Sequence, residues 1–311
     1  MSSRLPFAAR HFLTPIPLAL AILGLAAALP VAAVAAPAII YGIDNNNDIY
    51  EIDPVNKTSA LALVQPAGGF SNALAYDTTR DHLFFIGPDN GLKYWAQGSG
   101  TTGLNVAGSP AVGTDPNNAA YYDNAYWFFE HDSNVLHRWN LSYTGTGAGA
   151  VPSISGTQSF VIAGMDLPPT GSVNNTNSFG DIAINPTTGI LYASTSRGRF
   201  YSVDLLNSMT FTQLLVSPGN DNTVGLQLSF NTDYSILYGH SYTSGSWYEV
   251  NPANGNQTAI TGFSTKPFGD TGFRDLGGAA VAAVPEPSAA ALACIGVAGA
   301  AWCLRRRRRA G

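Results

Sequence analysis

A repeated unit of β-strand patterns runs through most of the chain and constrains its fold more than any single motif. Its second strand recurs as "IIYGID", "HLFFIG", "AYWFFEH", "ILYAST" and "ILYGHS", and its third as "DIYEID", "GLKYWA", "VLHRWN", "RFYSVD" and "SWYEVN". Tyr41, Phe85, Phe128, Tyr192 and Tyr238 occupy one column, at spacings of 44, 43, 64 and 46 residues. A period of about 40–50 residues is typical of a four-stranded propeller blade. The sequence therefore predicts an all-β fold, a five-bladed β-propeller. A six-bladed ring is the alternative.

The strand that begins each unit is displaced in the first unit. "SNALAYD", "NNAAYYD", "GDIAINP" and "GLQLSFN" each precede an aromatic strand, but no such strand lies upstream of Ala38. Its counterpart is "FRDLGGAAV", close to the other end of the chain. A ring closed by this strand has no exposed edge, which radial β architectures must avoid. We therefore expect residues 273–283 to pair with residues 38–65 and to close the ring.

The third unit is longer than the others. Residues 141–177 are rich in Gly, Ser and Asn and contain one strand pattern, "QSFVIAG". Such a composition is typical of loops. We interpret this stretch as an insertion or a long loop around one strand.

Motifs of known catalytic mechanism are absent from the sequence, which contains no G-x-S-x-G, H-E-x-x-H or Walker pattern. One polar column deserves comparison with glycosidases, because Asn72, Asp181 and Asp275 each enter an inner strand. Carboxylates that converge in a propeller channel can act as the acid and base of a glycosidase. A residue type repeated at equivalent positions also fits a structural role, in which it accepts hydrogen bonds from neighbouring backbone. We favour the structural role.

The best candidate for a metal site is "DNNND", in which Asp44, Asn46 and Asp48 alternate as calcium ligands do. The stretch lacks the following Gly and the distal bidentate Glu of a calcium loop. It aligns with the hairpin turns of the other units, where Asn and Asp tolerate a left-handed backbone. The sequence therefore favours a turn, and we expect neither a metal nor a cofactor.

Aromatic residues on the third strands suggest a second kind of site. The set comprises Trp95, Trp139, Trp247, Tyr50, Tyr201 and Tyr248. Their rings can stack on sugar faces, or they can pack between blades, which requires large apolar side chains. Trp95 and Trp139 share a column with aliphatic residues of other units, which favours packing.

Residues 1–35 have the features of a secretory signal peptide. Arg4 and Arg10 precede an apolar run at residues 17–29, and an A-x-A pattern ends at Ala35. These features predict cleavage between Ala35 and Ala36. The alternative is a permanent anchor helix, which the prolines at positions 15, 17 and 30 disfavour.

Residues 284–311 combine three features in a fixed order. A Pro-Glu-Pro element comes first, formed by Val284, Pro285, Glu286, Pro287 and Ser288. An uncharged segment of 16 residues follows, and the arginine cluster Arg305, Arg306, Arg307, Arg308 and Arg309 comes last. As a helix the segment would cover about 24 Å, short of a hydrocarbon core of about 30 Å. The arginines should hold that end in the cytoplasm, so that an exported body stays outside the inner membrane.

These three features together resemble the PEP-CTERM sorting signal of Gram-negative bacteria. The resemblance implies recognition by an exosortase, a membrane protease, and delivery to the cell surface or the extracellular matrix. It also implies a transient inner-membrane intermediate held by the short helix. The alternative is an ordinary tail anchor, which the exposed Pro-Glu-Pro element and the short span disfavour.

The charge of the exported body limits its partners. Residues 36–283 contain 8 Lys and Arg and 19 Asp and Glu, a net charge of −11. Such a body is unsuited to nucleic acid or anionic lipid. Both cysteines lie in the tail, at positions 294 and 303, so the body cannot form a disulfide. We therefore expect a non-enzymatic binding or structural propeller that contacts a surface glycan such as an exopolysaccharide, with a glycoside hydrolase or lyase as the alternative.

Overall fold

The computed structural model describes residues 38–64, 72–96, 99–100, 102–112, 116, 118–129, 133–163, 179–195, 199–215, 225–263 and 272–281. These residues form twenty β-strands and one short 3-10 turn at Gly147–Gly149. The strands are β1 (Ala38–Ile43), β2 (Ile49–Asp53), β3 (Thr58–Leu63), β4 (Asn72–Asp77), β5 (His82–Ile86), β6 (Leu92–Ala96), β7 (Leu104–Asn105), β8 (Ala120–Tyr122), β9 (Ala125–Phe129), β10 (Val135–Thr144), β11 (Val151–Val161), β12 (Phe179–Asn185), β13 (Ile190–Thr195), β14 (Phe200–Asp204), β15 (Thr210–Leu215), β16 (Leu226–Phe230), β17 (Leu237–Ser241), β18 (Trp247–Val250), β19 (Gln257–Ile260) and β20 (Asp275–Val281).

The strands form five antiparallel sheets of four strands each. Their orders are β20-β1-β2-β3, β4-β5-β6-β7, β8-β9-β10-β11, β12-β13-β14-β15 and β16-β17-β18-β19, which we call blades one to five. The first strand of each blade contacts the first strand of the next blade around the ring. The all-β fold and the five-bladed propeller predicted from the repeat are confirmed.

The C-terminal strand closes the ring, as the displaced strand pattern predicted. β20 pairs antiparallel with β1, from Ala38 opposite Val281 to Ile43 opposite Asp275. The edge that β1 would otherwise expose is therefore covered by a strand from the other end of the described chain.

The third blade differs from the prediction of a long loop around one strand. β10 and β11 form a long hairpin from Val135 opposite Val161 to Thr144 opposite Val151, with one register shift between Asn140 and Leu141. Leu141 is buried and Ile154 packs on the same hydrophobic cluster. These aliphatic side chains favour a strand although the surrounding Gly and Ser residues are typical of loops. Residues 164–177, the rest of the predicted insertion, lie outside the described residues.

The hydrophobic core consists of five clusters, one at each junction between neighbouring blades. Trp95 lies between blades one and two, Trp139 between blades two and three, and Trp247 between blades five and one. All three indole rings are buried. The third-strand tryptophans therefore pack between blades, and their faces are not available to a sugar.

Candidate functional site

The five inner strands β20, β4, β8, β12 and β16 run in the same direction around the central channel. A carboxyl oxygen of Asp275, at the start of β20, accepts a hydrogen bond from the backbone N–H of Leu74 in β4. Further along, Gly278 approaches Tyr76 of the same neighbouring strand. We call the end of the ring at which these strands terminate the axial face.

A cavity of about 240 Å³ opens in the channel at the axial face. Its wall includes five aromatic residues, Tyr76, Tyr121, Tyr122, Phe230 and Tyr234, and five polar residues, Thr78, Thr79, Asp123, Asn124 and Ser229. Ile182, Leu228 and Leu276 form part of its apolar lining. Drug-sized ligands occupy pockets of about 300–1,000 Å³, so this axial pocket suits a smaller group such as one sugar ring.

A pair of buried carboxyl groups lies next to these apolar lining residues. Asp181 and Asp275 come from blades four and one, which are not neighbours, and their side chains hydrogen-bond to each other. Both are 0% exposed. Each also accepts backbone N–H groups: Asp181 those of Ile182 and Leu228, and Asp275 those of Leu74 and Leu276.

The surroundings of this pair favour the protonated carboxyl. Burial, followed by repulsion from Asp275, raises the pKa of Asp181 well above its usual value. Burial likewise raises the pKa of Asp275 from 3.8 to about 8. The hydrogen bonds from backbone N–H groups oppose this shift without cancelling it. At neutral pH the pair therefore carries at least one proton.

The structure brings together two of the three residues in the predicted polar column. Asp181 and Asp275 meet in the channel, whereas Asn72 lies buried at the start of β4. The backbone contacts of both aspartates extend to the neighbouring inner strand, as the structural role requires. A carboxyl pair with perturbed pKa values is nevertheless a feature of many active sites.

A second polar cluster, which sequence analysis missed, lies beside the axial pocket. Arg80 forms a salt bridge of 2.9 Å with Asp77, and its guanidinium lies 3.7 Å from the ring centroid of Tyr143. The hydroxyl of Tyr143 hydrogen-bonds to Asp77 at 3.1 Å and to the hydroxyl of Tyr121 at 3.1 Å. Tyr121 also lines the axial pocket. The cluster therefore fixes one wall of that pocket.

The cluster depends on the long hairpin of blade three. Tyr143 lies near the tip of β10, and Ala148, between β10 and β11, places its carbonyl oxygen 3.1 Å from Nε2 of His82 in blade two. A shallower hollow lined by Arg80 and Tyr143 adjoins the pocket, because Thr79 and Asn124 line both. Neither the hairpin nor these contacts could be read from the Gly-rich sequence of this stretch.

The candidate calcium ligands lie in the hairpin turn between β1 and β2. One carboxyl oxygen of Asp44 accepts the backbone N–H groups of Asn46 at 2.8 Å and Asp48 at 2.9 Å. The backbone N–H of Asp44 also donates to the carbonyl of Asp48. These bonds account for the Asp and Asn residues as turn formers. Within the described ranges no three His, Cys, Asp or Glu side chains are grouped as a metal site requires.

The predicted processing sites lie outside the described residues. They comprise the signal cleavage site at Ala35 and Ala36, the element at 284–288 and the arginines at 305–309. In the part of the chain that the structure covers, no helix is both long and apolar enough to span a membrane.

Comparison with known proteins identifies the tail. Residues 283–308 match a family model described as the PEP-CTERM protein-sorting motif. This match confirms the resemblance found in the sequence and supports an exosortase substrate. No curated protein matches the chain. Among solved structures, a crystal structure of a nidogen/laminin complex is similar at 14% identity over 73% of this chain and 78% of that chain, with a TM-score of 0.46.

Proposed function

We propose that this chain is a cell-surface or extracellular-matrix protein whose propeller is a non-enzymatic binding module. The observation that carries the proposal is the sorting motif at residues 283–308, which follows the ring-closing strand directly. A motif of this kind implies export across the inner membrane and processing by an exosortase. After processing, the closed propeller ring resides at the cell surface or in a biofilm matrix.

Replacement of Pro285, Glu286 and Pro287 by Ala tests the sorting step. We expect the variant to be exported and then retained in the inner membrane, because the protease no longer recognises it. The matched control changes residues 305–309 to Ser, which removes the cytoplasmic stop and should release unprocessed protein. Cell fractionation and the mass of the mature C-terminus follow both variants. Normal surface delivery of the Ala variant would contradict the proposal.

The axial pocket supports a glycan as the ligand. Tyrosine rings next to hydroxyl, amide and carboxylate groups match the apolar faces and the hydroxyl edges of a sugar. The body carries a net charge of −11, and Asp123 lies at the pocket wall, so a neutral sugar suits the site better than an acidic one. The same charge disfavours nucleic acid as a partner.

A glycan array probed with the exported protein tests this part of the proposal. We expect neutral exopolysaccharide fragments to bind and Tyr122→Ala or Tyr234→Ala to weaken binding at least tenfold. Tyr242→Ala is the matched control, since Tyr242 is also half-buried but follows β17 at the opposite end of the ring. Equal losses in all three variants, or no binding to any glycan, would contradict a glycan site at the axial pocket.

The carboxyl pair in the channel is the observation on which a second candidate function, a glycoside hydrolase or lyase, would rest. Glycosidase carboxyl groups lie about 5–10 Å apart, with room for the sugar or a water between them. Asp181 and Asp275 are instead in direct hydrogen-bonding contact and fully buried, which supports a structural role. Release of reducing ends from exopolysaccharide by the wild type, lost in Asp181→Asn although the variant stays folded, would favour the enzyme.

A further inference from the structure

Both ends of the propeller domain leave the ring at the axial face. β20 runs toward this face and ends at Val281, and Ala38, the first residue of β1, pairs with Val281. The segment that precedes Ala38 and the segment that follows Val281 are therefore attached at one end of the ring. The axial pocket opens at the same end.

The sorting element is attached to the axial face by a very short stretch of chain. Three residues lie between Val281 and Pro285, and the four extended Cα–Cα steps reach at most about 14 Å. The apolar segment that begins at residue 289 is eight residues away, at most about 29 Å. A protease bound to the Pro-Glu-Pro element must therefore work directly beside the axial face.

Two exposed aliphatic side chains occupy turns at this face. Val55 is 66% exposed in the turn between β2 and β3, and Leu206 is 64% exposed in the equivalent turn of blade four. The two turns have the same hydrogen bonds: the N–H of Val55 donates to Asp53 at 2.9 Å, and that of Leu206 to Asp204 at 3.0 Å. These bonds fix the conformation of the two turns. The turns therefore lose little conformational entropy when the two side chains contact a partner.

Similar side chains at the other end of the ring provide a comparison. Val64 follows β3 and is 56% exposed, and Val161 ends β11 and is 72% exposed. Exposed valines alone therefore do not mark a partner surface. The short attachment of the tail is what distinguishes the axial face.

We propose that the axial face is the docking surface for the exosortase, with Val55 and Leu206 as contacts. The proposal rests on the proposed sorting through the C-terminal motif. A protein partner is favoured over the lipid surface, because a body with a net charge of −11 is repelled by anionic lipid.

Site-specific photocrosslinking in the full-length chain tests the proposal. A benzophenone amino acid is placed at position 55 or 206, or at the control positions 64 and 161, in cells with an affinity-tagged exosortase. We expect adducts with the exosortase from positions 55 and 206, at least fivefold above those from 64 and 161. Equal yields from all four positions, adducts with lipid alone, or no adducts would overturn it.

Processing rates separate this proposal from the proposed function. Val55→Ser with Leu206→Ser should slow tail removal at least threefold, whereas Val64→Ser with Val161→Ser should not. Ten Gly and Ser residues inserted between Ala283 and Val284 should lower crosslinking at position 55 at least threefold, because they lower the effective concentration of the two partners. If the tail is removed normally in every variant, the docking surface is wrong and sorting stands. If the wild type keeps its tail, the sorting proposal itself fails.

Discussion

The carboxyl groups of Asp181 and Asp275 hydrogen-bond to each other across the channel, joining blades four and one. Each aspartate also accepts a backbone N–H from the next inner strand, Leu228 for Asp181 and Leu74 for Asp275. Four of the five blades are thus linked through two side chains. The linkage needs a shared proton, which makes the stability of the ring dependent on pH.

The first prediction is that the exported protein loses stability as pH rises above neutrality. The pKa of Asp275 is raised from 3.8 to about 8, so its contribution is fully present below pH 3.8 and is lost as pH rises through 8. A difference of one bound proton between the folded and unfolded states changes the free energy of unfolding by about 1.4 kcal/mol per pH unit. The expected loss is therefore about 2 kcal/mol between pH 6.5 and pH 8. Urea denaturation at these two pH values measures this change in the free energy of unfolding.

Asp275→Asn is the control for this prediction. The amide keeps the size of the side chain but cannot be ionised, so the variant lacks the contribution of Asp275 to the pH dependence of stability. The variant should therefore lose less stability than the wild type over the same pH interval. A wild type whose urea midpoint is the same at pH 6.5 and pH 8 would show that the pair does not behave as described.

The second prediction concerns acid. His240 is fully buried, and its Nε2 accepts a hydrogen bond from the backbone N–H of Phe273 at 2.9 Å. Burial lowers the pKa of His240 from 6.5 to about 3, so its contribution is present above pH 6.5 and is lost as pH falls toward 3. Between pH 4 and pH 6.5 this loss opposes the gain from protonation of Asp275 and Asp181, so stability should rise less steeply as pH falls than the carboxyl pair alone would cause.

His240→Gln tests that balance. The variant keeps a hydrogen-bond acceptor but cannot be protonated, so its stability should rise more steeply than that of the wild type as pH falls from 6.5 to 4, from a lower starting value. We expect a cost of about 1–3 kcal/mol at pH 7 from imperfect packing. If the variant and the wild type have the same dependence of stability on pH, the opposing contribution does not come from His240.

The blades could be predicted from the sequence because local residue patterns mark their strands. The aromatic column from Tyr41 to Tyr238 repeats at blade length, and alternation within each strand marks the buried face. The closing strand was recognisable since the first unit lacked an inner strand. The long hairpin of blade three was missed, because its Gly and Ser residues are typical of loops and its strand character comes from contacts with blade two.

The candidate site was less predictable for a physical reason. The column of Asp181 and Asp275 indicated that both enter the channel, but contact between non-neighbouring blades depends on the channel width. The pocket residues Tyr122 and Tyr234 lie where inner strands end and turns begin, and no periodic pattern marks such positions. Their only sequence signal was an aromatic residue beside Asp or Asn.

The third prediction concerns the junction of blades four and five, where two backbones approach closely. A Cβ added at Gly180 would lie 2.8 Å from the backbone of Gly225. Because backbone atoms cannot move aside easily, Gly180→Ala should destabilise the protein by about 1–3 kcal/mol. Gly156→Ala is the control, since its Cβ would lie no closer than 3.6 Å to Asn140, and it should change stability by less than about 0.5 kcal/mol. Equal thermal midpoints for the two variants would contradict the close approach.

The last prediction concerns ring closure. A body that ends at Pro267 lacks β20, so it exposes the edge of β1 and removes Asp275 from the channel. It also removes Leu276, which is buried in the cluster between blades five and one. We expect this body to aggregate or to melt at least 15 °C lower than a body that ends at Ala283, on the order of 4 kcal/mol or more for a domain of this size. Size-exclusion chromatography and thermal unfolding of the two bodies measure the effect. If the shorter body remains monomeric with an unchanged midpoint, β20 is not needed to close the ring, and the tail is attached to a strand that the fold can do without.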